Sequence, residues 1–87
     1  MVKLAKSLAG HDKDHVYAVI NEDENNVYLA DGKNRTLDRP KRKNRRHVQL
    51  IFHFSEEYTQ LLGSVGSDSD LVHVLRVYHS AVSGSEQ

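Results

Sequence analysis

The sequence predicts a small, mainly β domain: a five-stranded barrel or sandwich with a short helical tail at its C-terminal end. Short segments rich in β-branched and aromatic residues recur through the first fifty or so positions. Turn-forming clusters separate them every eight to twelve residues, the spacing of a compact all-β unit. Beyond residue 54 the apolar period lengthens to three and four, which marks a helix.

Val2 to Ser7 alternates apolar and polar residues, the period of a half-buried strand. Gly10 to Asp14 is a polar turn. His15 to Ile20 is β-branched and aromatic, and Asn21 to Asn26 is again a turn, built of Asn, Glu and Asp. Val27 to Ala30 forms a third strand, closed by the turn signal Asp31-Gly32. Arg35-Thr36-Leu37 reads as a brief fourth strand, and Pro40 breaks the pattern because it cannot donate to a ladder. His47 to His53 completes the series. Closing these strands into a barrel removes the edges that so few strands otherwise expose.

In the tail, Ser55 caps a helix over residues 56–62, with Glu56 and Glu57 near the positive end of its dipole and Gly63 as its stop. Ser64 to Ser69 is a loop. Ser67-x-x-Asp70 has the form of a capping box, and Leu71, Val74, Leu75, Tyr78 and Val82 share one helical face. Val72, Val74 and Val77 make a strand the competing reading there, with the helix preferred. The expected organisation is a barrel over 1–54, a helical extension over 55–82 and a disordered tail over 83–87.

A chain of 87 residues makes one domain, and this size buries roughly 60–70% of the surface of its unfolded form. With no cysteine it has no disulfide and no thiolate metal site. The N-terminal stretch is too short and too charged for a signal peptide. The longest uncharged apolar run, Val16 to Ile20, falls far below the ~20 residues that span a bilayer. The expectation is a soluble cytoplasmic protein with no membrane partner.

The net charge of zero hides two opposed parts. Residues 33–46 hold eight of the twelve Lys and Arg against one acid, Asp38, a local balance of +7. The remainder has four basic and eleven acidic residues, a balance of −7. A positive field this dense attracts polyanions, nucleic acid foremost. Arginines fork onto phosphate oxygens, while lysines act as point charges. Tyr17, Tyr28 and Phe52 are candidate stacking faces for unpaired bases, although a chain with six aromatics needs most of them in its core.

Catalytic chemistry has little support. The six histidines (11, 15, 47, 53, 73 and 79) show no H-E-x-x-H pattern and no carboxylate at ligand spacing, so they read as surface residues. Ser7, His11 and Asp12 lie close in sequence, but such closeness is not triad geometry. Neither a glycine-rich phosphate loop nor a pair of catalytic carboxylates is evident, and Glu22-Asp23-Glu24 reads as a solvated hairpin tip.

Ser7-x-Ala9-Gly10-x-Asp12-Lys13, followed by the Val16–Ile20 strand, resembles a KOW motif. Asp31-Gly32-Lys33-x-Arg35, then Pro40-Lys41-x-Lys43, then Arg46-His47-Val48, is similar to the signature that follows it in bacterial KOW-domain proteins. Those in turn are similar to certain large-subunit ribosomal proteins of archaea and eukaryotes. The resemblance covers about residues 2–50, and its second half is the more specific. It implies a small SH3-like five-stranded barrel that binds RNA, typically ribosomal RNA, with no catalysis, no cofactor and no small-molecule substrate. By position in the motif it implies RNA contacts from Lys13, Arg35, Lys41, Lys43, Arg46 and His47. Lys33, Arg39, Arg42 and Arg45 join them as members of the same basic run.

The family turn usually reads Gly-Arg-Asp-Lys-Gly-Arg; here it is Gly10-His11-Asp12-Lys13-Asp14-His15. Asp tolerates the left-handed conformation better than most residues, so the turn survives the loss of its glycine. Two acids now bracket Lys13, which shifts the expected weight of RNA binding onto residues 33–47. The leading expectation is a ribosome-associated RNA-binding protein. The alternative is a KOW protein-interaction module of the transcription elongation machinery, with a hydrolase or metal protein a distant third.

Overall fold

A computed structural model describes residues 3–85. Five strands form one antiparallel sheet: β1 (Leu4–Ser7), β2 (Val16–Glu22), β3 (Asn26–Ala30), β4 (Lys41–Asn44) and β5 (Val48–Ile51), in the order β4-β3-β2-β1-β5. Thus β1 to β4 run as a meander, a 3-10 turn over Arg45–His47 follows β4, and β5 returns to pair with β1. The helices α1 (Glu56–Gly63) and α2 (Asp68–Ser85) complete the chain. The register of β2 on β3 slips between Val19 and Asn21, a bulge at Ile20 that bends the strand and increases its twist.

Alternation along the strands sends apolar residues to both faces of the sheet. One face carries Leu4, Val16, Ala18 and Ala30, which pack with Leu62 of α1 and Leu71, Val74 and Leu75 of α2. The other carries Ala5, Tyr17, Val19, Val27, Leu29 and Val48, and no helical residue among those described joins that cluster. Ala5, Val27 and Leu29 are nevertheless fully buried. The Lys41 and Lys43 side chains, which lie opposite Leu29 and Val27, share that face of the twisted sheet with them.

Both helices begin where their caps place them. Ser55 Oγ accepts the Tyr58 N–H at 3.1 Å, with Glu56 and Glu57 in the first turn of α1. Ser67 Oγ accepts the Asp70 N–H at 3.2 Å, while Asp70 Oδ2 accepts the Gly66 N–H at 3.0 Å. Burial of Leu71, Val74 and Leu75 outweighs the weak helix propensity of the valines, so the segment is helical rather than extended. The Tyr58 hydroxyl donates to the Val74 carbonyl at 2.8 Å and ties α1 to α2. Burial pushes the pKa of that phenol up to about 12. Of the expected tail, α2 extends through Ser85, and residues 86–87 lie outside the described residues.

Two expectations are corrected. Arg35-Thr36-Leu37 is not a strand. Asp31 Oδ1 accepts the N–H groups of Lys33 and Arg35 at 2.9 and 3.0 Å, and the Arg35 carbonyl accepts those of Asp31 and Gly32. With its backbone groups satisfied locally or by α2, the segment has little left for a ladder. The fourth strand is instead Lys41–Asn44, directly after Pro40, and the basic run is therefore a loop, a strand and a 3-10 turn rather than one loop. The sheet is also not closed: β4 and β5 are its two edges. The 3-10 turn carries β5 across to β1 instead of laying it beside β4.

Gly32 fixes how the loop meets α2. Its φ is +82°, and a Cβ there would stand 2.5 Å from the Asp68 carbonyl oxygen and 2.9 Å from Val72 Cγ2. Nearby, Asp68 Oδ1 accepts the Leu37 N–H at 2.8 Å. Gly32→Ala is expected to destabilise the protein by about 2–3 kcal/mol, from the left-handed conformation plus displacement of α2. Chemical denaturation measures this; an unchanged midpoint would mean that loop and helix are not locked together.

Candidate nucleic-acid interface

The basic run occupies one edge of the sheet, and alternation divides it. Lys41 and Lys43 pair across from Leu29 and Val27, so both lie on the face that carries the Tyr17 cluster. Arg42 lies opposite Tyr28 and points to the other face. Lys33, Arg35 and Arg39 precede the strand on the loop, and Arg45, Arg46 and His47 follow it in the 3-10 turn. The structure brings Lys41 and Lys43 together with the first turn, but sets Arg42 apart from them.

Asp12 makes that junction. Its Oδ1 accepts from Lys43 Nζ and Ser7 Oγ, each at 2.8 Å, and its Oδ2 accepts from Lys41 Nζ at 2.8 Å and the Tyr17 hydroxyl at 2.7 Å. One carboxylate thereby fastens β1, the first turn, β2 and β4. The Asp12 side chain is only 14% exposed and that of Lys43 only 10%. Burial works against ionisation of Asp12, but hydrogen bonds from Lys41, Lys43, Tyr17 and Ser7 outweigh it and hold the carboxyl far below the usual range. For Tyr17, burial and the adjacent Asp12 charge both raise the phenol well above its ordinary value. Lys43 Nζ also donates to the Ala9 carbonyl at 2.8 Å.

The first turn takes left-handed conformations at two residues, only one of them a glycine. Asp14 takes φ +73°, as expected of an Asp in that position, and Gly10 takes φ +92°. The Asp14 N–H donates to the Ser7 carbonyl at 2.8 Å, and Lys13 is exposed at the tip.

A second carboxylate, Asp31, is buried at the root of the loop. Besides the N–H groups of Lys33 and Arg35, it meets His15 Nε2 at 3.0 Å through Oδ2. Burial opposes its charge, yet the Arg35 and Lys33 N–H groups and His15 keep its carboxyl below the ordinary value. Arg45 is held by the hairpin tip: its Nη2 donates to Glu22 Oε1 at 2.7 Å and its Nε to the Asp23 carbonyl at 2.9 Å. Glu22 also takes Lys3 at 2.6 Å, so hydrogen bonds from Lys3 and Arg45 lower its carboxyl. The acidic tip is thus a clamp as well as a turn, since Asp23 accepts the N–H groups of Asn25 and Asn26 and the Tyr28 hydroxyl.

The ten expected contacts fall into two groups. Lys41, Lys43 and Arg45 are ion-paired within the protein. Lys13, Lys33, Arg35, Arg39, Arg42, Arg46 and His47 are exposed and make no ion pair among the described residues. Among the candidate stacking faces, Tyr17 is core and Tyr28 is half-buried with its hydroxyl on Asp23. Phe52 is 55% exposed but follows β5 at the end remote from His47. Sequence reasoning missed Asp12 and Asp31 as organisers, because counting charge treats an acid near a basic run as a subtraction. The available signal was Asp12's place inside the first motif.

Comparison with protein-family models gives no match to this chain, and no curated protein matches it. No helix among the described residues is long and apolar enough to cross a membrane.

Because the folded Asp12 carboxyl is depressed, the stability it contributes is present above its ordinary value of 3.8 and is lost as pH falls through and below it. Asp12→Asn is expected to destabilise the protein by about 2–4 kcal/mol at pH 7, since Lys43 is left buried without its counter-charge. The gap from the native protein should narrow steadily between about pH 5 and pH 2. Denaturation midpoints across that range test it, and a gap independent of pH would show that the carboxylate charge is not what matters.

Proposed function

We propose that this protein binds structured RNA, ribosomal RNA foremost, by gripping phosphates with a basic ridge along the β4 edge. The observation that carries this reading is the division of the run. Three cations are held by internal carboxylates, while Lys33, Arg35, Arg39, Arg42 and Arg46 stay exposed and without an ion pair among the described residues, all within fourteen positions. Keeping so many like charges adjacent costs stability through repulsion, and phosphate oxygens relieve it. Arg42 is the exposed cation of β4 itself, and the loop before the strand and the turn after it extend the ridge on either end with Lys33, Arg35, Arg39 and Arg46. In this reading Lys41 and Lys43 set the position of the ridge, and the exposed arginines make the contacts.

The KOW resemblance supports the same function, as does the topology. A four-strand meander, a bulge midway along β2, a 3-10 turn before β5 and the pairing of β5 with β1 suit an SH3-like barrel whose last two edges are left unpaired. A second reading, a protein-interaction module of the transcription machinery, is favoured by one feature. Between α1 and α2 lies an open apolar groove of about 490 Å3, walled by Phe54, Tyr58, Leu61, Val77 and Tyr78.

Filter binding of ribosomal RNA fragments at 50–200 mM salt tests the leading reading. With about five phosphates neutralised, log affinity should fall against log salt with a slope of about −3.5 to −4.5. Replacing Arg35, Arg39 and Arg42 together by Gln should remove about 2–3 of that slope while leaving the fold intact. A salt-independent complex overturns the proposal. Co-purification of RNA polymerase in place of ribosomal RNA turns the assignment to the second reading.

A further inference from the structure

Arg76 is the only Lys or Arg among residues 47–87, a segment that otherwise carries the acids Glu56, Glu57, Asp68, Asp70 and Glu86. It is exposed on α2 and makes no ion pair among the described residues. Its position is not arbitrary. Ser69, His73 and Arg76 recur at spacings of four and three and so share one face of α2. With Gly32, Asp68 and Val72 they line an open groove of about 290 Å3 between the loop and the helix.

Both walls of this groove are fixed. On the loop side, Asp31 holds the backbone of Lys33 and Arg35, and Gly32 lies so close to α2 that a Cβ would strike the Asp68 carbonyl. On the helix side, Asp68 is engaged with the Leu37 N–H, which pins the helix start to the loop. Lys33, the first cation of the basic run, directly follows Gly32, which lines the groove. An open groove with Arg76 in its lining, and Lys33 next in the chain to the glycine on its loop side, suits a sugar-phosphate backbone, which single-stranded RNA segments offer without base pairing in the way.

We infer that the RNA site crosses this groove onto α2, with Arg76 donating to phosphate oxygens, His73 and Ser69 supplying further polar contacts, and Lys33 facing the same stretch of backbone. The inference rests on the RNA reading above and extends its footprint from the sheet edge to the second helix. It gives the C-terminal segment a direct part in binding, in addition to covering the sheet.

The test uses the full chain and the same ribosomal RNA fragments. Arg76→Gln should weaken binding and reduce the salt slope by about one, as for the loss of a single phosphate contact. Arg76→Lys should keep the slope, because the charge remains. Melting temperatures of both variants should match the native protein, since Arg76 is exposed. In parallel, the Ser69→Cys variant carrying a benzophenone on its new thiol should crosslink to the RNA. If Arg42→Gln weakens binding while Arg76→Gln does not, or if the benzophenone at position 69 gives no crosslink, the extension onto α2 is overturned and the RNA reading stands. If neither Arg42→Gln nor Arg76→Gln changes binding, the RNA reading itself fails.

Discussion

The carboxylate of Asp12 is the interaction on which the candidate interface depends. β4 is made of Lys41, Arg42, Lys43 and Asn44, and it brings no apolar side chain to the core. Its ladder to β3 gives it a place, but unsupported edge strands of this length are marginal. Asp12 supplies the missing support by taking both lysines on one side of the strand, at a site dry enough for the attraction to count. Polar residues thereby do at this edge what Val and Leu do in the interior strands, and the edge stays charged, which discourages another chain from pairing with it.

The same logic recurs at the other joints of the basic run. Asp31 shapes the loop before β4, Asp68 seats that loop on α2, and Glu22 holds Arg45 after the strand. The acids of this chain are therefore not a separate negative half facing a positive one. Several are interleaved with the cations as anchors, and the charges they leave unmatched are those that face outward. The neutral total of the sequence reflects this construction, with internal pairing and external excess in one protein.

Much of the fold was legible in the sequence, for reasons that can be named. β1 announces itself through alternation, and β2, β3 and β5 through short β-branched, aromatic and aliphatic runs between turns, because each has apolar side chains to bury. α1 and α2 follow from their caps at Ser55 and Ser67 and from the Leu71, Val74 and Leu75 stripe. The left-handed Asp14 followed from the turn chemistry of that residue type. β4 was not legible, because what makes it a strand lies about thirty residues away in Asp12 and leaves no local pattern. Arg35 to Leu37 misleads for the converse reason: Thr and Leu can serve in a strand, but Asp31 and Asp68 capture the backbone first. Closure of the sheet was not decided by counting strands, since it depends on where the 3-10 turn aims β5. Within the candidate site the cations were visible as charge, whereas their division into anchored and outward-facing groups required knowing which way alternate residues of β4 point.

The bonds to Asp12 also differ in how far along the chain they reach. Ser7 and Tyr17 are each five residues from it, while Lys41 and Lys43 are 29 and 31 residues away. Closing the short loops sacrifices little chain entropy and closing the long ones more, so the turn with its neighbouring strands can organise before β4 arrives. β4 pairs with the neighbouring β3 whereas β5 must reach back to β1, so β5 is the last strand to close, and β4, which brings no apolar side chain to the core, is the edge that peels away most readily in a local opening. An anion bound along that edge would act as a clasp on the least secure strand, so that occupancy and the mechanical integrity of the sheet rise and fall together.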